Sequence, residues 1–309
     1  MDLYFLGTGA GLPSKRRNVT SIALRLHDER GTFWLIDCGE ATQHKILSSP
    51  LSLSKLEHIF ITHLHGDHIF GLPGLLGSRG FQAGEKPLVI YGPRGLEQFV
   101  ETTIRLSETH LPYRLWVSVI DGGVIFDDEQ MTVTCRQLNH GIPSYGYRFE
   151  EKPKRGKLRQ TLLQEQGIPA GPIYGKLKEG HDVALDDGRV LRSADYLAPP
   201  TPGRVVTILG DTRPCDSAEE LAEGADVLVH EATYAASEWE RAQNHHHSTA
   251  TDAARTAANA GVKQLVLTHV SARYDEEGEA KLLADAQAIF PATTLAHDHL
   301  IINVPRLPG

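Results

Sequence analysis

Three imidazoles and a carboxylate stand within six positions at His63, His65, Asp67 and His68, in the run Thr62-His63-Leu64-His65-Gly66-Asp67-His68. Nitrogen and oxygen donors without a thiolate form the ligand set that borderline divalent ions such as zinc prefer. An open catalytic zinc takes about three protein ligands and a water. Four candidate donors in one short stretch therefore point to two ions.

Further donors repeat one arrangement. The apolar run His58-Ile59-Phe60-Ile61 reads as a buried strand, with His63 just past its end. Met131 to Cys135 lies before His140, Val205 to Gly210 before Asp211, and Leu265 to Thr268 before His269. Short apolar runs bounded by turn residues are strand signals. Loops at strand ends are where a rigid sheet holds functional side chains. Four such ends carrying metal-type donors read as one site assembled from four places. Of the 16 histidines, His27, His44, His58, His110 and His181 lack this context and read as ordinary polar residues.

The elements that must position these groups fit a chain of 309 residues, enough for one large domain or two small ones. A hydrophobic content of 40% and a charged content of 23% are those of a soluble globular protein. No apolar stretch approaches the roughly 20 residues needed to cross a bilayer, so no membrane association is expected. The N-terminus, Met1 to Gly7, lacks a basic segment and reads as a first strand rather than a signal peptide. Cys38, Cys135 and Cys215 are odd in number and scattered, which fits a reduced, cytoplasmic setting. The net charge of −8 argues weakly against a polyanionic partner, but local charge decides binding. Lys152, Lys154, Arg155, Lys157 and Arg159 place five cations in eight residues.

Strand signals occur at 2–6, 21–26, 32–37, 58–62, 88–91, 131–137, 145–149, 204–209, 226–229, 264–268 and 299–304. Helices are expected at 40–48, 94–108, 248–260 and 277–289, the third capped by Ser248 and ended by Gly261. Strands with interspersed helices in both halves predict an α/β protein of two packed sheets covered by helices. Residues 151–200 break the pattern, being basic at their start, rich in Gly and Pro, and too long for an ordinary connection. They read as a projecting arm inserted into a single domain spanning 1–309.

The His-x-His-x-Asp-His signature, with His140, Asp211 and His269, resembles the metallo-β-lactamase superfamily. That resemblance implies an αββα sandwich with a two-metal site along one edge of its sheets. Narrower motifs resemble the ribonuclease Z family of tRNA 3′-processing endonucleases. They are Pro13-Ser14-Lys15-Arg16-Arg17-Asn18, His230-Glu231-Ala232-Thr233, His247-Ser248-Thr249, Ala296-His297-Asp298-His299, and Gly171-Pro172 inside the basic insertion. The resemblance implies that His63, His65 and His140 hold one ion, that Asp67, His68 and His269 hold the other, and that Asp211 bridges them. The expected cofactors are two Zn2+ per subunit, with Mn2+ or Co2+ suiting the same donors. Asp67, His247 and Glu231 are the expected catalytic groups. His247 would protonate the leaving oxygen, and Glu231 would fix the imidazole tautomer and raise its pKa. Lys15, Arg17 and Asn18 are expected near the cleaved end of the RNA, and Arg273, just after His269, could contact phosphate or base or equally brace its loop. The five cations at 152–159, with Gly171 and Pro172, would grip tRNA. The implied function is removal of the 3′ trailer from precursor tRNA, leaving a 3′-hydroxyl for CCA addition, by a homodimer in which the arm of one subunit grips the tRNA cut by the other. The alternative is a phosphodiesterase or other small-molecule hydrolase of the same fold.

Overall fold

The computed structural model describes residues 1–27, 30–83 and 85–306. Its contacts divide into two units: 1–150 with 205–304, and 151–204 with the C-terminal residues.

The larger unit holds two seven-stranded sheets. One contains β1 (Asp2–Gly7), β2 (Ser21–Leu26), β3 (Thr32–Ile36), β4 (Leu56–Phe60), β5 (Leu88–Gly92) and β6 (Leu115–Val119). The other contains β7 (Gly123–Asp127), β8 (Met131–Gln137), β9 (Tyr145–Glu151), β10 (Val205–Ile208), β11 (Val227–Glu231), β12 (Leu265–Thr268) and β13 (Thr293–Leu295). The last strand, β14 (Ile301–Asn303), returns to the first sheet beside β1. The orders are β14-β1-β2-β3-β4-β5-β6 and β13-β12-β11-β10-β9-β8-β7. Strands β3 to β6 run parallel, as do β10 to β13.

Alternation along the strands builds the layers. Leu3 and Phe5 of β1 and Trp34 and Ile36 of β3 face the second sheet, meeting Val133, Tyr147, Phe149, Val206 and Val229. Their neighbours Tyr4, Leu6, Phe33 and Leu35 face the helices Thr42–Leu47, Leu72–Ala83 and Leu96–Leu106. Strands buried on both faces read as continuous apolar runs rather than alternating ones. A third cluster packs the second sheet against the helices Asp216–Ala222, Ala250–Asn259 and Glu276–Gln287. The result is the expected helix–sheet–sheet–helix sandwich.

Some elements differ from the sequence expectation. The helix Leu72–Ala83 contains Gly74, Gly77 and Gly80, each costing about 1 kcal/mol of helix propensity. Two of these glycines admit close neighbours: a Cβ on Gly80 would meet Pro112 Cδ at 3.0 Å, and one on Gly74 would meet Gln43 Oε1 at 2.5 Å. The cap expected at Ser248 is instead Thr249, whose hydroxyl pairs with the Asp252 backbone in a reciprocal capping box. Ser248 Oγ donates to the Thr212 carbonyl at 2.6 Å. Edge strands β6 and β7 carry exposed Trp116, Val119 and Val124, too little alternation to be legible as strands.

The smaller unit has its own core of Leu163, Ile168, Tyr174, Leu177, Val183, Leu191 and Tyr196. Its helices are Gln160–Glu165, Pro172–Lys178 and Ser193–Tyr196, with a two-stranded ribbon of Val183–Ala184 and Val190–Leu191.

Candidate metal centre

Both sheets deliver functional groups from the C-terminal ends of parallel strands, where open α/β sheets place their ligands. Asp37 follows β3, and Thr62 and His63 follow β4. Asp211 follows β10, Glu231 ends β11, and His269 follows β12. His140 comes from the loop after antiparallel β8. Asp37, His246 and His269 hold left-handed backbones, with φ of 57°, 59° and 56°. Such conformations in non-glycine residues are costly and gather where function constrains the chain.

Among the described residues the donors fall into overlapping groups: His63, His65, His140 and Asp211, then Asp67, His68 and His269, with Asp211, His247 and His269 joining them. Nδ1 of His65 lies 3.1 Å from His63 Nε2 and 3.2 Å from His140 Nε2. His269 Nε2 lies 3.3 Å from both His68 Nε2 and Asp67 Oδ2. Asp211 Oδ2 stands between the groups, 3.5 Å from His63 Nε2 and from His68 Nε2, and 3.4 Å from His269 Nε2. Donor atoms on a tetrahedron of radius about 2.0–2.1 Å sit about 3.3–3.4 Å apart. The observed spacings are those of groups arranged around common centres.

The second nitrogens support the same arrangement. Thr62 Oγ1 donates to Asp37 Oδ2 at 2.8 Å, so it accepts from His63 Nδ1 at 3.0 Å. His68 Nδ1 donates to Asp37 Oδ2 at 2.8 Å, and His140 Nδ1 donates to the His246 carbonyl at 2.8 Å. A proton fixed on Nδ1 leaves the Nε2 lone pair for an ion. Burial holds the pKa of His63 well below the ordinary imidazole value and lowers those of His65 and His140, keeping the lone pairs unprotonated. At His68 burial acts the same way, but Asp211, Asp37 and Asp67 outweigh it and raise the pKa well above normal. A carboxylate field that attracts a proton so strongly also favours a divalent cation. Burial would raise the Asp67 carboxyl, yet His68 and His269 hold it far below the usual range. The Gly11 amide donates to Asp67 Oδ2 at 2.7 Å. Donor chemistry, tautomers and spacing all fit a pair of divalent ions.

Asp37 is a residue the sequence reading missed. It is 2% exposed and joins His68 to Thr62. The signal was available, because Asp37 ends a recognised strand as the other donors do.

The candidate proton donor lies beside the centre. His247 Nδ1 is 2.9 Å from Glu231 Oε1 and 3.8 Å from Asp211 Oδ2. Burial opposes the charged imidazole, but Glu231 and then Asp211 raise its pKa to about 9. The three consecutive histidines have separate places: the His245 ring stacks near Tyr234, the His246 carbonyl orients His140, and His247 meets Glu231.

Several expected substrate contacts are engaged elsewhere. Arg17 is 6% exposed, and its guanidinium bonds Glu279 through Nε and Nη2, with Nη1 on Thr8 Oγ1 and the Ala296 carbonyl. Asn18 is 8% exposed and its amide bonds the Glu40 carbonyl at 2.8 Å. Both therefore brace the N-terminal loop. Asp298 completes the brace, accepting from Thr8 Oγ1 and the Asn18 amide and pairing with Lys45. Lys15 is exposed. Arg273 lies over the Tyr234 ring at 5.0 Å and bonds Glu238 at 2.7 Å. In the smaller unit Lys154, Arg155, Lys157, Arg159, Gly171 and Pro172 are exposed and Lys152 is half-buried.

Two mixed sheets between helices, with histidine and aspartate donors along their strand ends, define the metallo-β-lactamase superfamily. A profile described as a beta-lactamase superfamily domain matches residues 190–270, and one described as the anti-Pycsar protein Apyc1 matches residues 1–152. Over 306 residues the chain is 55% identical to ribonuclease Z of Geobacillus kaustophilus, covering 99% of this chain and 100% of the relative. It is 51% identical over 306 residues to ribonuclease Z of Bacillus subtilis, with the same coverage. The crystal structure of the short form of human tRNase Z matches with a TM-score of 0.73 and 33% identity, over 99% of this chain and 100% of that one. The chain belongs to the ribonuclease Z family.

Proposed function

We propose that this protein is a metal-dependent endoribonuclease that removes the 3′ trailer of precursor tRNA and leaves a tRNA 3′-hydroxyl for CCA addition. The observation that carries this reading is the pair of donor groups joined by Asp211, beside the Glu231–His247 pair, in a chain similar over its full length to ribonuclease Z proteins.

His63, His65 and His140 would hold one ion and Asp67, His68 and His269 the other, with Asp211 shared. Zinc fits these donors best, with manganese and cobalt able to occupy them. Two such ions, when bound, would supply activation of water at neutral pH and neutralisation of charge at the phosphate. The chain's own residues do the rest. Asp67 can accept or orient the proton of the attacking water. The leaving group is a sugar oxygen that needs a proton. His247 can supply it, since its Nδ1 is tied to Glu231 and Nε2 remains to donate. The raised pKa keeps that proton in place at neutral pH.

The phosphodiester bond to be cut is common to all RNA, so selection of tRNA must come from elsewhere. The insertion at 151–200, with its exposed cations and with Gly171-Pro172 at the start of the helix Pro172–Lys178, is the proposed exosite. Recognition through backbone and shape is the usual mode for structured RNA. A homodimer is proposed, supported by exposed Leu47, Phe70 and Phe81 on the helical layer of the first sheet. A cytoplasmic setting is supported by three free thiols, two of them buried. Among the described residues no helix is long and apolar enough to cross a membrane.

The test is incubation of purified, metal-loaded protein with a 3′-extended tRNA and mapping of the cut. A product ending in a 3′-hydroxyl at the trailer junction supports the reading. Hydrolysis of small phosphodiesters without any tRNA cleavage refutes it.

A further inference from the structure

Thr233 lies two residues past Glu231 and is 4% exposed. Its Oγ1 is 2.6 Å from Glu231 Oε2 and 2.9 Å from His269 Nδ1. A hydroxyl offers one proton and two lone pairs, whereas an ionised carboxylate only accepts. The Thr233 proton must therefore point at Glu231. What remains on Oγ1 is an acceptor, so His269 meets it with Nδ1–H. That leaves the His269 lone pair on Nε2, the atom 3.3 Å from both Asp67 Oδ2 and His68 Nε2. The other Glu231 oxygen accepts from His247 Nδ1 and from the Thr212 amide, each at 2.9 Å. His247 Nδ1 is 3.4 Å from Thr233 Oγ1, so Glu231 is its nearer partner. A single buried hydroxyl thus joins a candidate metal ligand to the carboxylate that orients the candidate acid.

We propose that Thr233 is a positioning residue that makes one metal subsite and the proton donor a single unit, by fixing the His269 tautomer on one side and the Glu231 carboxylate on the other. The inference rests on the metal chemistry proposed above. It predicts that removing the hydroxyl weakens an ion held by Asp67, His68 and His269 while sparing the His63, His65 and His140 subsite. A threonine that only fills space would be replaced by valine without either effect.

Thr233→Val keeps the shape and removes the hydroxyl, whereas Thr233→Ser keeps the hydroxyl and removes the methyl. Zinc affinity is measured by titration against a competing chelator with no RNA present, and kcat and KM are measured separately on a 3′-extended tRNA. The valine variant should lose about 10–100-fold in affinity for one of two zinc equivalents, as expected when an outer partner of a ligand is removed. Its kcat should fall with KM unchanged, and serine should restore both. A valine variant that binds both equivalents like the parent overturns the proposal. So does a serine variant as impaired as valine, or a fall in kcat with zinc affinity intact. If circular dichroism shows the valine variant unfolded, serine is compared with alanine under the same criteria. Because the titration uses no RNA, failure of the parent to cleave tRNA would remove the proposed function and leave this inference standing.

Discussion

His247 is hydrogen-bonded to Glu231, a carboxylate sixteen residues earlier in the chain. Replacing His247 with alanine should slow tRNA cleavage by about 10²–10⁴-fold, the usual contribution of a general acid. Single-turnover rates and elemental analysis read the outcome together. Two metal equivalents should remain, and loss of one would make His247 a ligand instead. His58 gives a separate prediction away from the centre. It is 8% exposed, packed among Trp34, Phe60, Tyr91 and Phe126, with its Nδ1 unpartnered. Burial lowers its pKa to about 4, against opposition from Glu57. The folded pKa lies below the ordinary value of about 6.5, so the folded state binds fewer protons over this interval. His58 costs no stability above about pH 6.5, an increasing amount down to about pH 4, and a constant amount of about 3 kcal/mol below that. In urea titrations the stability of His58→Leu relative to the parent should therefore rise as pH falls from 7 to 4. A pH-independent difference would mean that the imidazole is protonated equally in both states. At this scale the candidate ligands were legible because His63, His140, Asp211 and His269 each follow an apolar run, and His65, Asp67 and His68 cluster beside the first of these. Asp37 escaped although it too ends an apolar strand, and the engagement of Arg17 by Glu279 escaped because its partner lies 262 residues away.

The elements explain why four distant segments meet. Parallel strands on both sheets end on one side, so a short turn after each presents its side chain to a common centre. That regularity made most strands readable from apolar runs alone. The helix Leu72–Ala83 was not readable, since three glycines oppose helix propensity and only close neighbours explain Gly74 and Gly80. Edge strands β6 and β7 were not readable either, because exposure removes the hydrophobic signal. The helix after His247 was placed correctly but its cap was one residue off. Thr249 accepts from the Asp252 amide and the Asp252 carboxylate accepts from the Thr249 amide. Thr249→Ala should cost about 1–2 kcal/mol in chemical denaturation. A change within error would show that the box adds nothing to the helix in this setting.

At the scale of the whole molecule, the chain divides into two units, and the proposed exosite lies in the smaller one while the candidate metal donors lie in the larger. Deleting 152–198 should abolish tRNA cleavage while sparing hydrolysis of a small activated phosphodiester, and joint loss of both activities would count against the exosite. Binding of tRNA should weaken steeply with salt as phosphate contacts release counterions. A flat response in filter binding between low and physiological salt would favour a small-molecule substrate. The net charge of −8 is compatible with this because the cations at 152–159 are clustered rather than spread.

The insertion leaves at Glu150 and returns at Val205, residues paired across adjacent antiparallel strands. A Cβ on Gly203 would sit 1.5 Å from the Glu151 carbonyl oxygen, and Arg204 holds the Glu151 carboxylate at 2.8 Å. Entry and exit are thus stapled side by side, like the two ends of a plug. Evolution could lengthen, shorten or exchange everything beyond that staple without shifting a strand, so diversification of RNA preference in such enzymes should be found there, at little risk to the catalytic apparatus.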